Sequence, residues 1–361
     1  MARLSPIPEH RSGLPPNHAR VGILAALLAL TGCYTSHVRT PYEDAAGVQE
    51  RQSFETSPPF RYEKAELPFT NHVVGQGATA NYELRLLEMP SFGDNGQVGN
   101  RVTARYYRSR LAGPRPLVIV MPIWGTYTYP PRKTAASIQR LSEGAVHVLY
   151  VQGDDYLADW TGLVAAADKD EFLDLWRQAV ERQKSVMINV SRLIDWAEQR
   201  PEIDGERVGL IGFSLSAIVA GVIATQEPRL AAVVTVMGGS HLETVIARCD
   251  GRRARSVQAK AVASFGCDRN ELESRLKPIF GVLDSANYPD RVDPRRVLII
   301  DAKKDQCVPE VSREDLWKAL GKPERITLNY DHAPAFLAMT PVGNNWLRRQ
   351  IWEFFEARLL E

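Results

Sequence analysis

The stretch "VGLIGFSLSAIVAG", Val208 to Gly221, starts as an uninterrupted apolar run and ends as a small-residue helical pattern. An apolar run this short suits a strand covered on both faces, and the residues after it suit a helix. Between them stands Gly212-Phe213-Ser214-Leu215-Ser216. Small residues two positions before and after Ser214 allow strand and helix backbones to approach closely at a tight corner. A corner of that kind either caps the helix, for which serine is well suited, or exposes one hydroxyl.

The elements on either side repeat the alternation. "PLVIVM" (116–121), "VHVLYV" ending at Val151, "AAVVTVM" ending at Met237, "RVLIID" (296–301) and "RITLNY" ending at Tyr330 read as strands. Helical periodicity covers 132–142, 168–199 with one break near Lys184, 215–225, 312–320 and 346–360. Strands alternating with helices predict an α/β fold, a mostly parallel central sheet with helices on both faces. "YELRLLEM" and "RVTARYYR", joined by a Gly/Asn-rich connection, predict an antiparallel edge. Between Met237 and Arg296 no strand is evident, and a plain connection is far shorter. A small helical cap inserted at 241–290 is expected there, within a domain spanning 67–361.

The Ser214 corner resembles the G-x-S-x-G nucleophile elbow of the α/β-hydrolase superfamily, with Ser216 where the second glycine would stand. Serine is small, but it is less permissive than glycine. The resemblance implies a base after the last strand and a carboxylate after the strand before it. Of the seven histidines, His332 in "NYDHAPAF" lies where the pattern carries its base. His147 starts a strand, at the end of the sheet opposite the usual ligand edge. In "IIDAKKDQCVP", Asp305 is followed by Val308-Pro309 and matches the family's acid loop better than Asp301, the alternative. The chain order Ser214, Asp305, His332 is the order of that superfamily. Oxyanion donors are expected from the backbone N–H of Leu215 and from the "PIWGTY" loop, through Ile123 or Trp124. Trp124, Tyr127 and His241 are candidate pocket residues. "GGSHLE" (238–243) reads equally as a capping box of Ser240 and Glu243.

The implied function is a carboxylesterase-like serine hydrolase acting through an acyl-enzyme on a small acyl ester, with no metal and no organic cofactor required. A serine peptidase acting on short peptides is the enzymatic alternative. A catalytically silent binding protein of the cell envelope is the non-enzymatic one. Lys plus Arg is 44 against 43 for Asp plus Glu, so no basic field marks a nucleic-acid binder.

The first 32 residues read as a signal peptide: Arg3, Arg11 and Arg20 precede the apolar "VGILAALLALTG". "LTGC" (30–33) resembles the lipobox of bacterial lipoproteins, which implies lipidation at Cys33 with palmitate-type chains. It also implies a bilayer partner and a place at the outer membrane of a Gram-negative cell. Residues 33–66 then read as a tether. Cys249, Cys267 and Cys307 remain, and a Cys249–Cys267 disulfide is compatible with an oxidising compartment.

Overall fold

The computed structural model describes residues 37–43, 55–66, 68–76, 81–93, 101–123, 129–152, 158–341 and 345–361. Its frame is one sheet whose strands, in chain order, are β1 (His37–Thr40), β2 (Thr70–Gln76), β3 (Tyr82–Pro90), β4 (Arg101–Ser109) and β5 (Arg115–Val120). Then follow β6 (His147–Gln152), β7 (Ile203–Phe213), β8 (Leu230–Val236), β9 (Val297–Ala302) and β10 (Glu324–Leu328). Spatially they run β1-β10-β9-β8-β7-β5-β6-β4-β3-β2. The six central strands, β10 to β6, pair in parallel, and the flanking ones are antiparallel. This is the predicted α/β sheet, extended at both edges.

β5 displays the logic of the core. Leu117 and Ile119 face one apolar layer, Val118 and Val120 the other, and all four are fully buried. Successive strand side chains point to opposite faces, so a strand covered on both must be apolar throughout. One face carries helices α1 (Tyr129–Ser142) and α10 (Trp346–Leu359). The other carries α2 (Trp160–Ala165), α3 (Lys169–Glu198) and α4 (Leu215–Gln226). The expected break near Lys184 does not occur. Lys184 lies on the polar side of α3 and pairs with Glu181 at 2.9 Å, so the charge interrupts nothing.

Between β8 and β9 run α5 (Leu242–Arg248), α6 (Arg252–Phe265) and α7 (Arg269–Phe280). They dock on α3 through aromatic contacts, Phe172 to Phe265 at 5.3 Å and Trp176 to Phe280 at 5.5 Å between ring centroids. Their apolar residues are continuous with the layer beneath the sheet.

Three further expectations need correction. His37–Thr40, inside the stretch read as tether, pairs antiparallel with β10. Cys249 is bonded to Cys307, 58 residues on, and Cys267 is a buried free thiol. Lipid anchoring, the bilayer as partner and an outer-membrane location are withdrawn. Among the described residues no helix is long and apolar enough to cross a membrane, and the cysteine chemistry present is the Cys249–Cys307 bridge. The "LTGC" motif and Cys33 lie outside the described residues.

Candidate active site

Because β7, β9 and β10 run parallel, the loops at their carboxyl ends share one edge of the sheet. Ser214 follows directly on β7 and takes φ 53°, ψ −119°, a conformation costly for a residue with a Cβ. The geometry forbids bulk beside it. A Cβ on Gly212 would lie 2.2 Å from the carbonyl oxygen of Ser216, a backbone atom that cannot yield. Ser216 is fully buried and braces the corner. Its Oγ accepts from the Phe213 N–H at 2.7 Å and donates to the Phe213 carbonyl at 3.0 Å. The departure from the glycine pattern therefore supplies two hydrogen bonds across the turn.

His332 opens α9 (His332–Ala335), just after β10. Its Nε2 lies 3.0 Å from Ser214 Oγ and its Nδ1 lies 2.7 Å from Asp305 Oδ2. Asp305 is buried in the loop after β9, and its other oxygen accepts from the N–H groups of Cys307 at 2.8 Å and Val308 at 2.7 Å. An ionised carboxylate only accepts, so the hydrogen on the ring sits at Nδ1. Nε2 is left as acceptor for the serine hydroxyl. A hydroxyl so placed is one that an imidazole can deprotonate during attack on a carbonyl.

Asp301 does something else. It is fully buried at the end of β9 and accepts from Arg325 Nε at 2.8 Å, across the β9–β10 pair. His147 starts β6 at the opposite end of the sheet. Its Nδ1 accepts from the Ser109 N–H at 3.0 Å and its Nε2–H donates to the Glu202 carbonyl at 2.9 Å. Burial lowers its pKa to about 4 and keeps the ring neutral.

Leu215 is the first residue of α4, where helix N–H groups lack intrahelical partners. Ile123 stands three residues past Val120, and Ser214 three past Ile211, and Val120 and Ile211 are register partners. The two loops thus leave the sheet level with each other. Trp124 and Tyr127 lie outside the described residues.

His241 faces carboxylates. Its Nδ1 is 2.7 Å from Asp284 and its Nε2 is 3.0 Å from Asp315. The hydrogen bond to Asp284 chiefly raises its pKa, to about 9, against the opposing effect of burial. The Ser240–Glu243 capping box does not form. His241 occupies the cap position in the left-handed region at φ 57°, and Ser240 Oγ bonds Ser285 Oγ at 2.7 Å.

Sequence reasoning missed Asp331. One oxygen of its side chain accepts from the His332 N–H at 2.7 Å and from the Gln306 N–H at 2.9 Å, tying the histidine loop to the acid loop. The signal was present, since aspartate directly before a helix start is a favoured cap.

Comparison with known proteins agrees with this layout. A sequence model of X-Pro dipeptidyl-peptidase (S15 family) matches residues 180–341, less than half the chain but including Ser214, Asp305 and His332. Among curated protein sequences, none matches. Acetyl xylan esterase from a Paenibacillus species superposes with TM-score 0.57 at 15% identity, covering 82% of this chain and 90% of that one. Acetyl xylan esterase 1 from a Thermoanaerobacterium species gives 0.52 at 16%, covering 80% and 89%. Acylaminoacyl peptidase of Pyrococcus horikoshii gives 0.52 at 15%, covering 78% of this chain and 43% of that one. Likeness at such low identity is a likeness of fold, and with the parallel sheet and strand-end loops already described it makes this an α/β-hydrolase fold.

Proposed function

We propose that the protein is a serine hydrolase that cleaves a carboxylic ester, with Ser214 as nucleophile, His332 as general base and acid, and Asp305 as the carboxylate that orients the ring. One observation carries the reading: the unbroken series Ser214 Oγ to His332 Nε2 at 3.0 Å and His332 Nδ1 to Asp305 Oδ2 at 2.7 Å.

The chemistry follows in two halves. Ser214 Oγ attacks the carbonyl carbon as its proton passes to His332 Nε2, and Asp305 stabilises the resulting imidazolium. The oxyanion is received by the N–H of Leu215 and by one from the loop of Ile123 and Trp124. The tetrahedral adduct collapses, and the leaving alcohol takes the proton from Nε2. Water then attacks the acyl-enzyme, its proton going to Nε2, and the carboxylic acid departs as Ser214 Oγ is reprotonated.

A peptidase is the second reading. The matched S15 model covers all three residues, and the same steps cut an amide if the leaving amine is protonated. The ester reading is preferred because an alkoxide is the easier leaving group and the same series suffices. The test is a fluorophosphonate label followed by a panel of acyl esters of rising chain length and X-Pro amides. Native protein is expected to be labelled and to turn over short esters, and S214A to do neither. Labelling of S214A at the native rate overturns the assignment, and turnover confined to X-Pro amides replaces esterase by peptidase.

A further inference from the structure

A second cluster of chemically capable groups lies outside the Ser214 series, where the start of α5 meets the turn that follows α7. His241, Glu243 and Asp284 each offer one potential ligand atom, and these atoms all lie within 4.8 Å of one another. We propose that His241 Nδ1, Glu243 and Asp284 form a three-ligand site for a first-row divalent transition metal ion, with Zn2+ the fitting probe.

Four observations support it. Glu243 is only 3% exposed, yet its Oε2 is buried with no hydrogen-bond partner among the described residues. A buried carboxylate oxygen left unpaired is expensive, and a cation is the natural remedy. Next, the spacing fits. Ligand atoms held tetrahedrally at about 2.0–2.1 Å from an ion stand a little over 3 Å apart. Here Nδ1 is 2.7 Å from Asp284 Oδ2 and 3.8 Å from Glu243 Oε1, values that bracket that separation.

Third, the histidine is oriented from behind. Its Nε2 meets Asp315 Oδ2 at 3.0 Å, the arrangement in which a carboxylate fixes the tautomer that leaves the other nitrogen for the metal. Asp284 is likewise held, since its Oδ1 accepts from the Ala286 N–H at 3.0 Å and leaves Oδ2 turned toward the ring. Fourth, the charges balance once the ion displaces the proton on Nδ1, because two carboxylates and the imidazole so neutralised make a neutral set with a divalent ion. The mixed nitrogen and oxygen donors favour Zn2+ or its first-row neighbours over Mg2+ or Ca2+, which prefer oxygen alone. An ion there would join the start of α5, the turn at Ser285–Asn287 and, through Asp315, α8 (Glu310–Ala319).

The reading does not depend on the hydrolase proposal and is tested without an activity assay. Chelator-treated full-length protein is titrated with ZnCl2, MgCl2 and CaCl2 by calorimetry, and the melting temperature is followed in parallel. Expected are one saturable Zn2+ equivalent and a Zn2+-dependent rise in melting temperature. Glu243→Gln keeps the volume but removes the anionic ligand, and Asp315→Asn loosens the histidine from outside. Asp315→Asn should weaken Zn2+ binding by about 10- to 100-fold and Glu243→Gln by more, each with an unchanged circular dichroism spectrum. If Glu243→Gln fails to fold, Asp315→Asn decides, since Asp315 is a helix-surface residue. No Zn2+ equivalent, or unaltered affinity in the variants, overturns the site and leaves an ion pair only, and Ca2+ bound as tightly as Zn2+ overturns the transition-metal assignment.

Discussion

His332 and His147 sit at opposite ends of the parallel strands of one sheet, and the contrast shows how position sets what one kind of side chain can do. At the carboxyl end, strands stop and loops begin, so Nε2 of His332 meets a hydroxyl that can give up its proton. At the amino end, His147 is 1% exposed, its Nε2 is held by the Glu202 carbonyl, and its Nδ1 takes the Ser109 N–H with the Tyr106 hydroxyl 3.1 Å away. A second proton on Nδ1 would face the Ser109 N–H, donor against donor. The fold thus offers one imidazole a transferable proton and denies it to the other.

Three measurements would break or sharpen that contrast. The largest effect is expected for His332→Ala. Loss of the base from a coupled series should lower kcat by about 10^4- to 10^6-fold, while the unfolding midpoint hardly moves. A fall in stability comparable to that of a core substitution would make His332 a packing residue instead.

The second effect is thermodynamic and belongs to the other histidine. The folded pKa of His147 is lowered to about 4, against 6.5 for the free side chain. Between those values the unfolded chain binds a proton that the folded one refuses. Stability from this group is therefore complete above pH 6.5 and lost as pH falls toward 4, by about 3 kcal/mol in all. Denaturant titrations across that range, run beside His147→Gln, isolate the share due to the ring from that of the carboxylates. An identical pH slope in wild type and variant would refute the neutral, locked histidine.

The smallest effect concerns Asp331, which positions His332 through its backbone and does not touch the reacting atoms. Asp331→Ala should lower kcat about tenfold with KM nearly unchanged, and Asp331→Asn, which keeps an acceptor oxygen, should restore most of it. Equal losses in both variants would mean that the charge, and not the tie between loops, matters.

These residues differ in how far the sequence revealed them. Ser214, Asp305 and His332 were legible because each comes shortly after a strand readable in the sequence, in a fixed chain order. Their proximity is then a consequence of parallel pairing. The Cys249–Cys307 bond was not legible, since its ends meet only after the α5 end and the acid loop converge on one sheet edge. The Ser240–Glu243 pattern misled for a local reason: it presumes an extended cap, whereas His241 turns left-handed one residue later. β1 was hidden because "HVRT" has one aliphatic residue in four and depends on β10 for its shape. Asp284 and Asp315, the partners of His241, come from segments 43 and 74 residues away, beyond the reach of any local spacing rule.

β1 also has a bearing on how the molecule keeps to itself. It is four residues long, mostly exposed, and its Arg39 pairs with Glu324 at 2.6 Å. Laid along four of the five residues of β10, it covers that strand's hydrogen-bonding rim with a short, charged strip, a poor template for a neighbouring chain. Trimming the chain past Thr40 to obtain a tidier domain would bare that rim, and self-association through strand addition would be the first symptom.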